Sequence, residues 1–172
     1  NDGLGYIYCN KYFDDSIIKD VLDMILNLKK QFKKILKGSK WMSKNTIKKA
    51  ILKLNTMKFK IGYPKVWKDY SSLLINDEPF IINIMRCLRF LFQENINRVD
   101  KETDYNLWEM SPQSVNAYYS PNKNEIVFPA AILQYPFYDR KRGDIFNYAC
   151  LGSVIGHEMT HGFDDQGKEY DE

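Results

Sequence analysis

Apolar residues recur at helical spacing through the first third of the chain. Asp14, Asp15 and Ser16 offer a helix start. Ile17, Ile18, Val21, Leu22, Ile25, Leu28, Phe32, Ile35 and Leu36 come next at intervals of one turn until Gly38 ends the run. Ser43 caps a second predicted helix, with Ile47, Ala50, Ile51, Leu54 and Met57 along one face and lysines filling the other. Ile61-Gly62-Tyr63-Pro64 reads as a turn. Pro79, just inside a start marked by Asn76, Asp77 and Glu78, opens a third helix with Ile81, Ile84, Met85, Leu88, Leu91 and Phe92 on one side. Stripes of this kind predict core-facing surface, not a cofactor site.

The pattern changes after Trp108. Val115 to Tyr119 and Glu125 to Phe128 are β-prone, and Pro121-Asn122-Lys123-Asn124 between them predicts a hairpin. Pro129, Pro136 and Gly143 interrupt the next segment, and a last helix is expected from Asp144 to about Gly162. The chain therefore reads as mainly α with a small β-hairpin, an α+β fold. A boundary near Asp77 would separate a helical part, residues 1–77, from a second part, residues 78–172. There are no internal repeats or low-complexity tracts.

Composition narrows the picture. With 172 residues, 44% of them hydrophobic, the chain can bury a sizeable core. The net charge of +3 is local: lysines crowd the stretch from Lys29 to Lys68. Arginine, the better reader of phosphates and bases, is scarce there, so the stretch predicts a solvated helix surface and no nucleic-acid partner. Cys9, Cys87 and Cys150 are odd in number and lack zinc-knuckle spacing; each is expected to be a small buried hydrophobe. A disulfide to a segment outside this chain stays open. No signal peptide, no apolar run of about twenty residues and no N-glycosylation triplet occurs, so any membrane anchor is expected outside this chain.

The chemistry is concentrated in His157-Glu158-Met159-Thr160-His161, which contains both histidines of the chain. On a helix, residues four apart share a face, so the two imidazoles can bind one zinc ion while Glu158 flanks its open side. Zinc lowers the pKa of water, and a carboxylate beside it can take the proton and pass it to a leaving amine, the chemistry of peptide-bond hydrolysis. The apolar, small run Leu151 to Gly156 before the motif suits a helix buried beside a cleft. Two histidines leave a catalytic zinc short of its third ligand. A third histidine six residues after the second is excluded, because Gly167 stands there. Asp164, Asp165, Glu169, Asp171 and Glu172 are expected to be solvated or to support the ligands, and the site is expected to be cut off part-way. The hairpin adds a possible role: an exposed edge strand beside the metal can bind an extended peptide through its backbone, with Asn116 adding side-chain bonds.

Val115-Asn116-Ala117-Tyr118-Tyr119, then Asn124 to Ala130, Ile132-Leu133-Gln134, Val154-Ile155-Gly156-His157-Glu158 and Thr160-His161-Gly162-Phe163-Asp164-Asp165 resemble the neprilysin and endothelin-converting-enzyme family of zinc metallopeptidases. Tyr12-Phe13, Trp41-Met42 and Ile61-Gly62-Tyr63-Pro64 fit it more loosely. The resemblance implies His157 and His161 as zinc ligands and Glu158 as the catalytic base. It also implies Asn116 and Ala117 as binders of substrate backbone, and Ile132, Phe137 and Val154 as lining of an apolar pocket. Asp164 would orient groups around the metal. It further implies part of a thermolysin-like (gluzincin) catalytic domain in residues 78–172 and helices of an adjoining α-domain in residues 1–77. Family members cut on the amino side of large hydrophobic residues. The sequence departs from the family at Ala149-Cys150, where two glycines are usual, and at Ser153, where a larger apolar residue is common. The family's later E-N-x-x-D motif, with the third zinc ligand, is absent.

The expected function is that of a zinc-dependent metalloendopeptidase acting on oligopeptides, with this chain alone inactive. The alternative is a catalytically inactive family member that binds or sequesters peptides. Expected partners are a peptide substrate and the remaining C-terminal part of the same catalytic domain, and the resemblance implies an extracellular or cell-surface location. Apolar helix faces normally covered by that remainder are expected to be exposed.

Overall fold

The computed structural model describes residues 2–171. It contains α1 (Asp2–Tyr12), α2 (Ser16–Gly38), α3 (Lys44–Thr56), β1 (Lys58–Gly62), α4 (Phe80–Ile96), β2 (Tyr118–Ser120), β3 (Glu125–Pro129) and α5 (Gly143–His161). The expected mainly helical fold with a small hairpin is what forms. α2 and α5 begin and end within a residue of the expected limits, and Ser43 caps α3 by accepting from the Thr46 N–H.

Two elements differ from the sequence reading. α1 is a helix that the apolar pattern does not announce. The stretch Lys58–Gly62, whose end reads only as a turn, is a strand that pairs in parallel with β3, Lys58 opposite Glu125 and Gly62 opposite Pro129. β2 pairs with β3 antiparallel, giving a three-stranded sheet in the order β1-β3-β2. β3 is therefore central and buried along its whole length, and β2 is an edge. The hairpin is shorter than expected, because Val115 is exposed outside it.

The core lies between this sheet and the helices. Val21 and Ile25 of α2, Leu54 of α3, Ile126 and Phe128 of β3, and Leu151, Ile155 and Met159 of α5 form one fully or almost fully buried cluster. β3 starts with a buried carboxylate, Glu125, 1% exposed. Lys60 and Lys123 compensate it at 2.9 and 3.7 Å, as a charge removed from water requires.

Chain packing gives two compact units, Asn1–Lys65 with Trp108–Glu172, and Val66–Leu107. The boundary expected near Asp77 falls inside the second unit, because β1 joins the first part of the chain to the sheet of the last part. α4 belongs to the second unit. The stripe expected to be core is uncovered: Ile81, Met85, Leu88 and Phe92 are all exposed, and no residue of α4 is buried. Cys9 is buried as expected, whereas Cys87 and Cys150 are only half-buried; all three are free thiols among the described residues. Glu172 lies outside the described residues.

Asn124 closes the hairpin in the left-handed region, φ 44°, where asparagine is tolerated better than most residues. Its Nδ2 donates to the Lys53 carbonyl at 2.9 Å and to Thr56 Oγ1 at 3.0 Å, and its Oδ1 accepts from the Tyr119 hydroxyl at 3.1 Å. The turn is thus tied to the C-terminal end of α3. Asn124→Ala is expected to cost roughly 2–3 kcal/mol, from lost buried hydrogen bonds and left-handed strain. Denaturant unfolding checks this, and a loss below about 0.5 kcal/mol would show that the tie contributes little.

Candidate active site

α5 carries the motif in its last two turns. Its apolar side, Leu151, Ile155 and Met159, is locked into the core, which fixes the rotation of the helix. His157 and His161 are thereby turned outward, His157 exposed and His161 half-buried. Their Nε2 atoms stand 3.0 Å apart with the rings nearly perpendicular, at 81°. Two nitrogens held by one tetrahedral zinc at about 2.0–2.1 Å would stand about 3.3 Å apart. The pair therefore fits a shared zinc with a shift of a few tenths of an ångström. Among the described residues no group of three or more His, Cys, Asp or Glu side chains is disposed to hold a metal; His157 and His161 are the pair whose ring nitrogens converge.

Asp164 fixes the second histidine. Its Oδ2 lies 2.8 Å from His161 Nδ1. A proton on Nδ1 leaves the Nε2 lone pair free, the tautomer a metal ligand needs. Asp164 Oδ1 accepts from the backbone N–H groups of Gly167 at 2.7 Å and Gln166 at 3.0 Å. The Gly167 N–H above all, and then His161, hold this carboxyl down to about 2, so it stays ionised at neutral pH.

Glu158 behaves differently. It is 6% exposed, and burial pushes its carboxyl above the ordinary glutamate range. The two imidazoles and a hydrogen bond from the Tyr119 backbone partly offset that shift. A buried carboxylate with raised proton affinity, beside two imidazoles, is suited to accept a proton.

His157, Glu158, His161 and Asp164 share one cleft of about 680 Å³ with Asn116, Ala117, Tyr118 and Tyr119. Tyr118 and Tyr119 of the edge strand β2 form part of its wall. Asn116 is exposed, with its Oδ1 accepting from the Ala117 N–H at 2.9 Å.

Two family models match the chain, both described as peptidase family M13, over residues 1–64 and 116–172. The chain belongs to peptidase family M13. Endothelin-converting enzyme 1 of Bos taurus is 39% identical over 98% of this chain, and Neprilysin-3 of Drosophila melanogaster 38% over 98%. Among solved structures, the Mycobacterium tuberculosis zinc metalloprotease ZMP1 in complex with an inhibitor superposes over 99% of the chain with a TM-score of 0.93 at 39% identity. PepO from Lactobacillus rhamnosis superposes over 99% with a TM-score of 0.90 at 35% identity. The chain spans 23% of the length of the bovine enzyme and 25% of ZMP1. The chain thus corresponds to about a quarter of such a protein's length.

The remaining residues that the resemblance singled out lie elsewhere. Ile132 is buried in the core, and Phe137 and Val154 pack against it without lining the cleft. Sequence reasoning missed Tyr119, Gln166 and Gly167, which act through backbone N–H groups that any residue type carries. Asp164 with a glycine three residues on was the one available signal for a tight turn. Lys53, a member of the lysine-rich face expected to be solvated, is instead 5% exposed and points into the loop after α5. No helix among the described residues is long and apolar enough to cross a membrane.

Proposed function

We propose that this chain carries the motif-bearing part of a zinc-dependent metalloendopeptidase that cleaves oligopeptides on the amino side of hydrophobic residues. The observation that carries the reading is the convergence of His157 and His161 in a cleft shared with the buried Glu158 and the edge strand β2. His157 and His161 would hold Zn2+, with a third ligand supplied by the remainder of the catalytic domain. Zinc at that position supplies Lewis-acid activation of water and of the scissile carbonyl.

The protein's own groups do the rest. Glu158 takes a proton from the attacking water and delivers it to the leaving amine. Asn116 and Ala117 hold the peptide extended along β2. Asp164 keeps His161 in the ligating tautomer. The apolar pocket for the residue after the cut is assigned to the partly buried Phe137 and Val154, outside the cleft described above and packed against the core cluster that contains Ile132; such a pocket would discriminate among hydrophobic side chains only modestly. Membership in a family that includes endothelin-converting enzymes and neprilysins supports an extracellular or cell-surface location, with any anchor outside this chain.

The test uses the complete protein and a short peptide containing one large hydrophobic residue. Stripping the metal with a chelator is expected to abolish hydrolysis, stoichiometric zinc to restore it, and mass spectrometry to place the cut before the hydrophobic residue. Turnover that survives chelation, or that survives His157→Ala, would refute the reading. Peptide binding without any turnover in the zinc-loaded protein would favour a peptide-sequestering role.

A further inference from the structure

Lys53 is the buried cation nearest the loop that comes after the motif. Its ammonium donates to the carbonyls of Gly167 and Tyr170, both at 2.6 Å, and lies 6.0 Å from the centre of the Phe163 ring. Two short charge-assisted bonds in a buried setting hold a loop firmly. The same loop presents the Gly167 N–H to Asp164, and Asp164 grips His161. Both faces of one peptide residue are therefore used: the Gly167 carbonyl toward Lys53, its N–H toward the carboxylate behind the metal ligand.

The backbone of Lys53 is anchored on the opposite side. Its carbonyl accepts from the Met57 N–H at 3.1 Å, from Thr56 Oγ1 at 3.0 Å and from Asn124 Nδ2 at 2.9 Å. Asn124 in turn holds the Tyr119 hydroxyl, and the Tyr119 backbone meets Glu158. One residue of α3 thus links the loop behind His161 to the hairpin beside Glu158.

We propose that Lys53 is a positioning residue for the metal centre, acting through Gly167 and Asp164 to fix the orientation of His161. This rests on the reading of His157 and His161 as zinc ligands. Burial draws the lysine below its ordinary pKa, and the carboxylates of Asp171 and Asp164 partly oppose that.

The test measures zinc affinity of the complete, metal-free protein by competition with a chromophoric chelator, alongside kcat and KM. Lys53→Met is expected to weaken zinc binding about tenfold or more, the usual loss when support behind a ligand is removed, and to lower kcat with KM within about twofold. Lys53→Arg is expected to restore part of the affinity. Asp164→Asn is expected to act on the same path, so that the double variant binds zinc no more weakly than the worse single one. Independent, multiplying losses would overturn the proposal, as would unchanged zinc affinity in Lys53→Met despite a lowered melting temperature. If Lys53→Met does not fold, Lys53→Gln is read by the same measurements. His161→Ala separates the two readings: if it keeps full zinc affinity, the metal site itself is wrong. If it loses zinc while the Lys53 variants do not, only the Lys53 proposal falls.

Discussion

Glu158→Gln in the complete protein is expected to lower kcat about a thousandfold, the loss typical of a removed general base, with zinc content unchanged. Glutamine keeps the length and volume of the side chain, and its carbonyl oxygen can still accept the hydrogen bond from Tyr119. It cannot take a proton. The histidines are untouched, since Glu158 is a buried member of the cleft lining and is not one of the two side chains whose ring nitrogens converge. Structure and metal binding are therefore preserved as the chemistry is removed, and KM is expected to change little. Peptide hydrolysis measured together with metal content checks this. Turnover equal to that of the unaltered protein, with full zinc, would remove Glu158 from the role of base.

Gly167→Ala is the second large effect. A Cβ built at Gly167 would collide with the His161 carbonyl oxygen and lie 2.6 Å from the Gly162 carbonyl carbon and 2.9 Å from its oxygen. All three are backbone atoms at the end of α5, so no side chain can swing away to relieve the clash. Either the loop lifts off the helix end, breaking the bonds to Lys53 and Asp164, or the last turn of α5 distorts and moves His161. The expected cost is about 3 kcal/mol or more, at the upper end of overpacking penalties, with zinc affinity reduced in parallel. Thermal unfolding of the metal-free protein and chelator competition measure the two effects. A melting temperature within about 1 °C of the unaltered protein, with undiminished zinc affinity, would show that the close approach is not required.

The long helices and the histidine pair are legible in the sequence because they are local. α2 and α5 are set by spacing within one turn, and two histidines four residues apart need only a helix to converge. β1 is not legible. Lys58-Phe59-Lys60-Ile61 does alternate lysine with apolar residues as a strand does, but the run is short, and its partner, β3, lies far along the chain in a parallel pairing that no local pattern encodes. Lys53 is hidden for a related reason. One lysine among many on α3 turns inward only because the loop after α5 brings two carbonyls to it. α4 shows the converse: its stripe is apolar as the spacing says, but periodicity does not say whether a covering surface is present in the same chain.

β1 and β2, the strands that come before and after Val66–Leu107 in the chain, both pair with the central β3, so that unit is an excursion between the two edge strands of the sheet. Closing such an excursion costs entropy that grows only slowly with its length, by about 0.6 kcal/mol for each doubling. Insertions, deletions or a wholly different sequence there therefore place little burden on the strands that frame it. Changes in the length of this stretch are expected to leave the geometry of the histidines and their buried glutamate unaltered.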